Sequence, residues 1–149
     1  MAVPHRRVID LLFVALIALV VAFAGTDASA QDRANLSVDV IIAGHDGAGV
    51  DPALAAHSGR LETQFSQFNS FRRADSSSFQ LAPGATHQIS IPGGQTVRFS
   101  LVSSRSGRYR ITVQVPGGET TVESPAGGIF FVGGPRAPDG TIILLVRTR

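Results

Sequence analysis

The 149-residue chain contains no Cys, no Trp and no Lys, so its 13 positive charges are all Arg, set against 11 acids for a net charge of +2. Without Cys there is no disulfide framework, thiol nucleophile or Cys-ligated zinc site, and without Lys there is no Schiff base or P-loop lysine. The length suits one domain.

The first thirty residues read as a signal peptide. His5, Arg6 and Arg7 form a short positive segment, Leu11 to Ala24 is an unbroken apolar run, and Ala28-Ser29-Ala30 is a small-residue cleavage pattern before Gln31. That run as a helix rises about 21 Å, short of the ~30 Å hydrocarbon core, which favours a cleaved leader over a permanent anchor. Cleavage after Ala30 predicts a secreted or periplasmic protein of 119 residues, Gln31 to Arg149, with no membrane span and 44 apolar residues. An exported domain of this size without disulfides must hold by core packing alone.

The remaining chain reads as one strand, one helix, then strands. Leu36, Val38, Val40 and Ile42 alternate with Ser37, Asp39, Ile41 and Ala43 at the period of a strand. A Gly-rich loop, Gly44 to Val50, leads to Asp51-Pro52, an N-cap followed by proline at the first helical position. Leu54, Ser58, Leu61 and Phe65 then recur at helical spacing, predicting a helix of about four turns that lays Leu54, Leu61 and Phe65 on a sheet. After Phe65 the period becomes two. Strands are expected over Phe68–Arg73, Ser78–Leu81, His87–Ile91, Gln95–Val102, Arg108–Val115, Glu119–Glu123, Ile129–Val132 and Thr141–Val146, separated by turns such as Pro92-Gly93-Gly94 and Pro116-Gly117-Gly118.

These elements predict an α+β fold, mostly antiparallel β of about seven to nine strands in a meander or sandwich, with one helix after the first strand. Within one hairpin, Val97, Phe99 and Leu101 must share a face with Tyr109, Ile111 and Val113. Pairing Leu101 with Tyr109, Phe99 with Ile111 and Val97 with Val113 leaves a five-residue loop, Ser103 to Gly107, and gathers Arg98, Arg108 and Arg110 on the opposite face. The runs Ile129–Val132 and Ile142–Val146 are apolar on both faces and are expected inside a layered structure, leaving the edge to polar strands such as Glu119–Glu123.

Few residues point to chemistry. The loop Gly44-His45-Asp46-Gly47-Ala48-Gly49 has the spacing G-x-x-G-x-G, not that of a dinucleotide fingerprint, and reads as a flexible connection. No two of His45, His57 and His87 have metal-ligand spacing, so no metal or cofactor is expected. No serine sits in a G-x-S-x-G elbow, and Asp39, Asp46, Asp51, Glu62, Asp75, Glu119, Glu123 and Asp139 are scattered; a carboxylate hydrolase would need the fold to assemble them. No catalytic residue is assigned. The Arg stripe, with Arg105 at the hairpin tip and Arg72-Arg73 as additions, is a candidate for anionic groups of an envelope polymer. No aromatic residues interleave with these arginines, against nucleic-acid binding.

Phe131-Val132-Gly133-Gly134-Pro135-Arg136, followed by Asp139-Gly140-Thr141-Ile142-Ile143-Leu144, resembles a "VGGP…GTLIL" pattern of a family of small secreted bacterial proteins of uncharacterised function. Gly49-Val50-Asp51-Pro52-Ala53-Leu54 is similar to the same family's "GVDPxL" helix start, and Phe65 to Phe71 to its Phe-rich segment, with Phe71-Arg72 where that family has Tyr-Arg. The resemblance runs from about Leu36 to Val146 and implies an exported single domain, with nothing about chemistry. The loop Gly133 to Gly140, with Gly133, Gly134, Pro135 and Arg136, is the leading binding candidate, since binding usually lives on loops carried by a rigid scaffold.

The expected function is therefore a non-enzymatic exported protein acting through a protein or envelope contact, with a small-ligand or anionic-polymer module and a hydrolase as alternatives. N-terminal sequencing of exported material is expected to begin at Gln31; a start at Met1 would refute the leader.

Overall fold

The first and last strands of the fold lie side by side in the middle of one sheet. The computed structural model describes residues 33–149; the leader and its cleavage site lie outside them. Strand β1 (Ala34–Gly44) pairs antiparallel with β9 (Gly140–Thr148) on one side and with β3 (Ser70–Leu81) on the other. A two-residue strand, β2 (Gly49–Val50), lies parallel to the start of β3, and β8 (Ile129–Ala137) flanks β9, giving the order β2-β3-β1-β9-β8. The middle of the chain forms the second sheet, a meander of β4 (Thr86–Ile91), β5 (Gln95–Arg105), β6 (Arg108–Val115) and β7 (Gly118–Pro125). The described residues thus form a mostly antiparallel β fold with nine strands and one helical segment after the first strands, as the periodicity predicts.

Alternation along β1 explains the layering. Leu36, Val38, Val40 and Ile42 join Ile142, Leu144 and Val146 of β9 in a core closed by Val97, Phe99, Leu101, Ile111 and Val113 of the second sheet. The opposite face of the same strands offers Ile41, Ala43, Ile143 and Leu145, which pack with Leu54, Leu61 and Phe71 in a second core. Strand β9 is apolar on both faces because both are covered, as expected for such a run.

The helical segment begins where expected: Asp51 is the N-cap, its carboxylate accepting from the Ala53 N–H at 3.0 Å, with Pro52 in the first turn. Leu54 and Leu61 are fully buried and Phe65 packs beside them, as the spacing predicts. A continuous four-turn α-helix does not form. Residues Pro52–His57 form a 3₁₀ turn, and the α-helix proper, α1, spans Ser58–Gln64. Gly59, a weak helix former, stands in the first turn of α1, and burial of Leu54 and Leu61 holds the segment instead.

Four other expectations are corrected. Phe68–Arg73 and Ser78–Leu81 are not separate strands; β3 runs through Asp75-Ser76-Ser77-Ser78, with a register shift opposite Val40/Ile41. Its polar stretch stays extended because β1 pairs with it along its whole length, while Ser76 donates to the Asp39 carboxylate at 2.7 Å. In the β5–β6 hairpin the predicted faces hold but the register differs by two residues: Phe99 faces Val113, Leu101 faces Ile111, and Ser104 faces Tyr109. A bulge at Val102 absorbs the extra residue, and the five-residue loop shrinks to Ser106-Gly107. Both have positive φ, 51° and 72°, the combination that matches the twist of a two-residue hairpin and that glycine adopts readily.

The stretch Gly133–Gly140 is mostly strand. Residues Gly133–Ala137 belong to β8, and the turn is reduced to Pro138-Asp139. Gly134 is needed there because a Cβ would lie 3.1 Å from Ile142 Cβ. Finally, Ile129–Val132 is covered on both faces as expected, but its strand takes an edge position expected of polar strands. β8 lies at the edge, with Phe130 and Val132 toward the core between the sheets and Ile129 and Phe131 toward the helix-side core. The two-faced apolar pattern reports cover above and below, not a neighbour on each side. The polar run Glu119–Glu123 does lie in an edge strand, β7.

Because β9 closes two cores at once, Leu144→Ala and Ile143→Ala should each cost about 2–5 kcal/mol in urea unfolding. A negligible cost for Ile143→Ala would mean that the helical layer contributes no packed core.

Candidate functional site

Folding brings Asp139 to two aspartates of the β1–helix connection, Asp46 and Asp51, that are far from it in sequence. At one end of the five-stranded sheet, a cleft of about 550 Å³ is lined by Asp46, Asp51, Asp139, Ser70, Arg72 and Phe71, among others. An adjoining groove of about 700 Å³ shares Gly44 and Asp139 and adds His45, Phe68 and Arg136. The β1–β2 loop, the start of β3 and the β8–β9 turn build this end together. No spacing in the sequence could reveal the meeting, because it depends on β1, β3 and β9 being neighbours.

The carboxylates bind backbone. Asp46 accepts from the Ala48 N–H at 3.0 Å, and the Asn69 side chain accepts from the Gly47 N–H at 2.9 Å. Asp51 caps the helical segment and also accepts from the Arg73 N–H at 3.2 Å. The Ala48 N–H, with the Ser70 side chain, holds Asp46 below the usual carboxylate range, and the Ala53 and Arg73 N–H groups do the same for Asp51. Both therefore carry charge at neutral pH, whereas a general acid needs a raised carboxyl. The same bonds engage two N–H groups that a phosphate cradle would need, and the lining carboxylates repel an anion. The loop is a braced connection. Arg72 lies 3.8 Å from Asp139 in an exposed ion pair of small energetic weight.

The histidines are dispersed. His45 lies against Phe68 with ring centroids 5.3 Å apart, His57 ends the 3₁₀ turn, and His87 stacks on Phe79 at 4.1 Å. Among the described residues no group of three His, Cys, Asp or Glu could hold a metal ion.

The arginine stripe is on one face but in pieces. Arg98 lies across from Gln88 and Gln114, and with the Gln88 amide oxygen turned toward it the guanidinium donates two bonds, at 2.7 and 3.1 Å. Arg110 is paired with Glu123 at 3.0 Å. Arg108 faces Arg105 on β5 and Pro125 on β7. Between these groups runs a row of hydroxyls, Thr86, Ser100, Thr112 and Thr121, bonded in pairs at 3.0 and 2.9 Å. Of the leading candidate set, Gly133, Gly134 and Pro135 are strand backbone at the bulge of β8, and only Arg136 reaches the groove beside Asp139.

The β8 edge went unrecognised in sequence. Ile129, Phe130 and Phe131 are each half-buried, and Phe131 meets Phe65 edge-on at 5.9 Å. Among the described residues, β8 pairs with β9 alone. No charged residue lies between Ile129 and Pro135.

Comparison with protein-family models, with curated proteins and with solved structures finds no match.

The Asp51 carboxylate has a depressed folded-state pKa, so its stabilisation is present above the unfolded value and is lost as pH falls through the folded one. Asp51→Asn should lower Tm at neutral pH, and its gap to the parent should close as pH falls below the ordinary aspartate value of 3.8. A gap unchanged down to strongly acidic pH would remove the carboxylate from the helix start.

Proposed function

We propose that the chain is an exported, non-enzymatic module, belonging with the small secreted proteins it resembles, that works by taking an extended strand of a partner protein along β8. One observation carries this reading: β8, whose first half is uncharged and apolar on both faces, lies at the edge of its sheet among the described residues. An edge strand presents a row of N–H and C=O groups free to pair, and natural edges are blunted by charge, proline or a covering element. β7 carries Glu119 and Glu123 and ends at Pro125, and β3 is flanked by β2 and then turns polar from Arg72. β8 has its first such feature only at Pro135, beyond the bulge, which limits pairing to about Ile129–Gly133. A strand added there would gain main-chain hydrogen bonds and set alternate side chains against both cores, the mode known as β-augmentation.

Support for a contact function over catalysis comes from the terminal cleft, where Asp46 and Asp51 brace backbone in ionised form. Residues 31–149, immobilised and exposed to envelope extract, should retain a protein whose binding slows hydrogen exchange at the Ile129–Val132 amides. Phe131→Lys should reduce retention at least about tenfold while the Tm shows a folded protein, because a charged edge opposes strand addition. Retention that is equal for parent and variant, or protection elsewhere with none on β8, would overturn the proposal. Concentration-dependent dimerisation abolished by the same change would identify the partner as a second copy.

A further inference from the structure

The tip of the β5–β6 hairpin holds two arginines directly opposite each other with no acid between them. Arg105 and Arg108 are register partners flanking Ser106-Gly107, so their Cβ atoms lie about 4.5–5.5 Å apart on the outer face of the sheet. Like charges in such a slot repel and destabilise a hairpin. Of the neighbouring arginines, Arg110 is neutralised by Glu123, and Arg98 faces no like charge and donates to the neutral Gln88 amide. Arg105 and Arg108 have no ion-pair partner among the described residues, and the next position across from Arg108 is Pro125, which offers none.

Two further observations converge on the tip. The Ala126 N–H donates to the Gly107 carbonyl at 2.8 Å, tying the turn to the β7–β8 connection, so the two guanidinium stems rise from a braced platform. The bulge exposes Val102, three residues before Arg105, to 52 %, and it is the one exposed large hydrophobic side chain among the described residues. A fixed pair of unneutralised guanidinium groups suits a group with several anionic oxygens, since Arg donates two parallel hydrogen bonds to phosphate. An exposed apolar side chain on the same strand suits a surface with hydrocarbon beneath the charge.

We propose that this tip is a phosphate-binding clamp, Arg105 and Arg108 taking the oxygens of one phosphate group from two strands, and that the phosphate is a headgroup of an anionic lipid surface on which Val102 rests. The site is separate from β8 and independent of any strand partner. Bound phosphate would offset the cross-strand repulsion, so occupancy should stabilise the hairpin.

Sedimentation of residues 31–149 with phosphatidylcholine vesicles, with and without phosphatidylglycerol, at low ionic strength provides the test. The protein should bind only the mixed vesicles, and added salt should weaken binding as exposed charges are screened. Arg105→Ser with Arg108→Ser should lose about tenfold or more in affinity, Val102→Ser a smaller factor, and Arg98→Ser less than about twofold. All these positions are exposed, and a Tm at or above the parent's in the absence of vesicles would show that folding is intact, the double variant having lost the cross-strand repulsion. Equal binding by the parent and the double variant, or an equal loss with Arg98→Ser, would overturn the clamp. Titration with inorganic phosphate separates the two sources. A Tm rise in phosphate that the double variant lacks, with no vesicle binding, would overturn the lipid assignment and leave a site for a free phosphate; no response to either probe would overturn both.

Discussion

Everything in this fold depends on the pairing of β1 with β9. The two strands come from opposite ends of the described chain, yet they are central neighbours over eight residue pairs, Leu36 with Thr148 through Ala43 with Thr141. Both faces of that pair are dry. One supplies the wall of the core between the sheets, and the other supplies the floor under the helical segment. At the open end of the pair, where the helical cover stops, the apolar floor gives way to a polar group. There Asp39, 2 % exposed, accepts from Arg147 at 3.1 Å and from Ser76 at 2.7 Å, linking three adjacent strands by side chains. A buried charge is tolerable when it is paired and hydrogen-bonded, and here the pair also specifies which strands are neighbours.

The ends of the molecule follow from that centre. Bringing β1, β3 and β9 together places the β1–β2 loop beside the β8–β9 turn, and so assembles the three-aspartate cleft. At the opposite end, Thr148, buried at 1 %, donates to the Pro125 carbonyl at 2.6 Å and bonds Ser124 at 3.1 Å. The crossing from the second sheet back to the first is thereby clamped onto the last residues of β9. Both proposed contact regions meet this crossing, the β8 edge because Ile129 follows it in the chain and the β5–β6 tip because the Ala126 N–H donates to the Gly107 carbonyl.

Local chemistry was legible and lateral arrangement was not. Asp51-Pro52 announced the helix start because capping is decided within a few residues, and Leu54 and Leu61 announced its buried face. Alternation in β1, β5 and β6 reported which residues face the core, since the period of two depends on nothing beyond the strand. Register was read two residues out because a bulge at Val102 changes pairing without changing the inward set Phe99, Leu101 and Ile111. Burial of Phe130 and Phe131 said that both faces of β8 are covered, but no residue in the run encodes whether a strand lies beyond it. For the same reason the stripe of Arg98, Arg108 and Arg110 was visible as a face, while the partner of each, Gln88, Arg105 or Glu123, required the register.

The central place of the final strand also bears on how the molecule can come into being. Asp39 and Arg147 are separated by 108 positions, so neither hydrophobic layer can close until almost the last residue has joined. Contacts of such long sequence separation delay folding, because a large loop must be ordered before they form. A chain emerging from its N-terminus therefore stays open and threadable for nearly its whole length, then completes both layers in a single late event. Loss of β9 would remove a wall from both layers at once, not yield a slightly shorter version of the same protein.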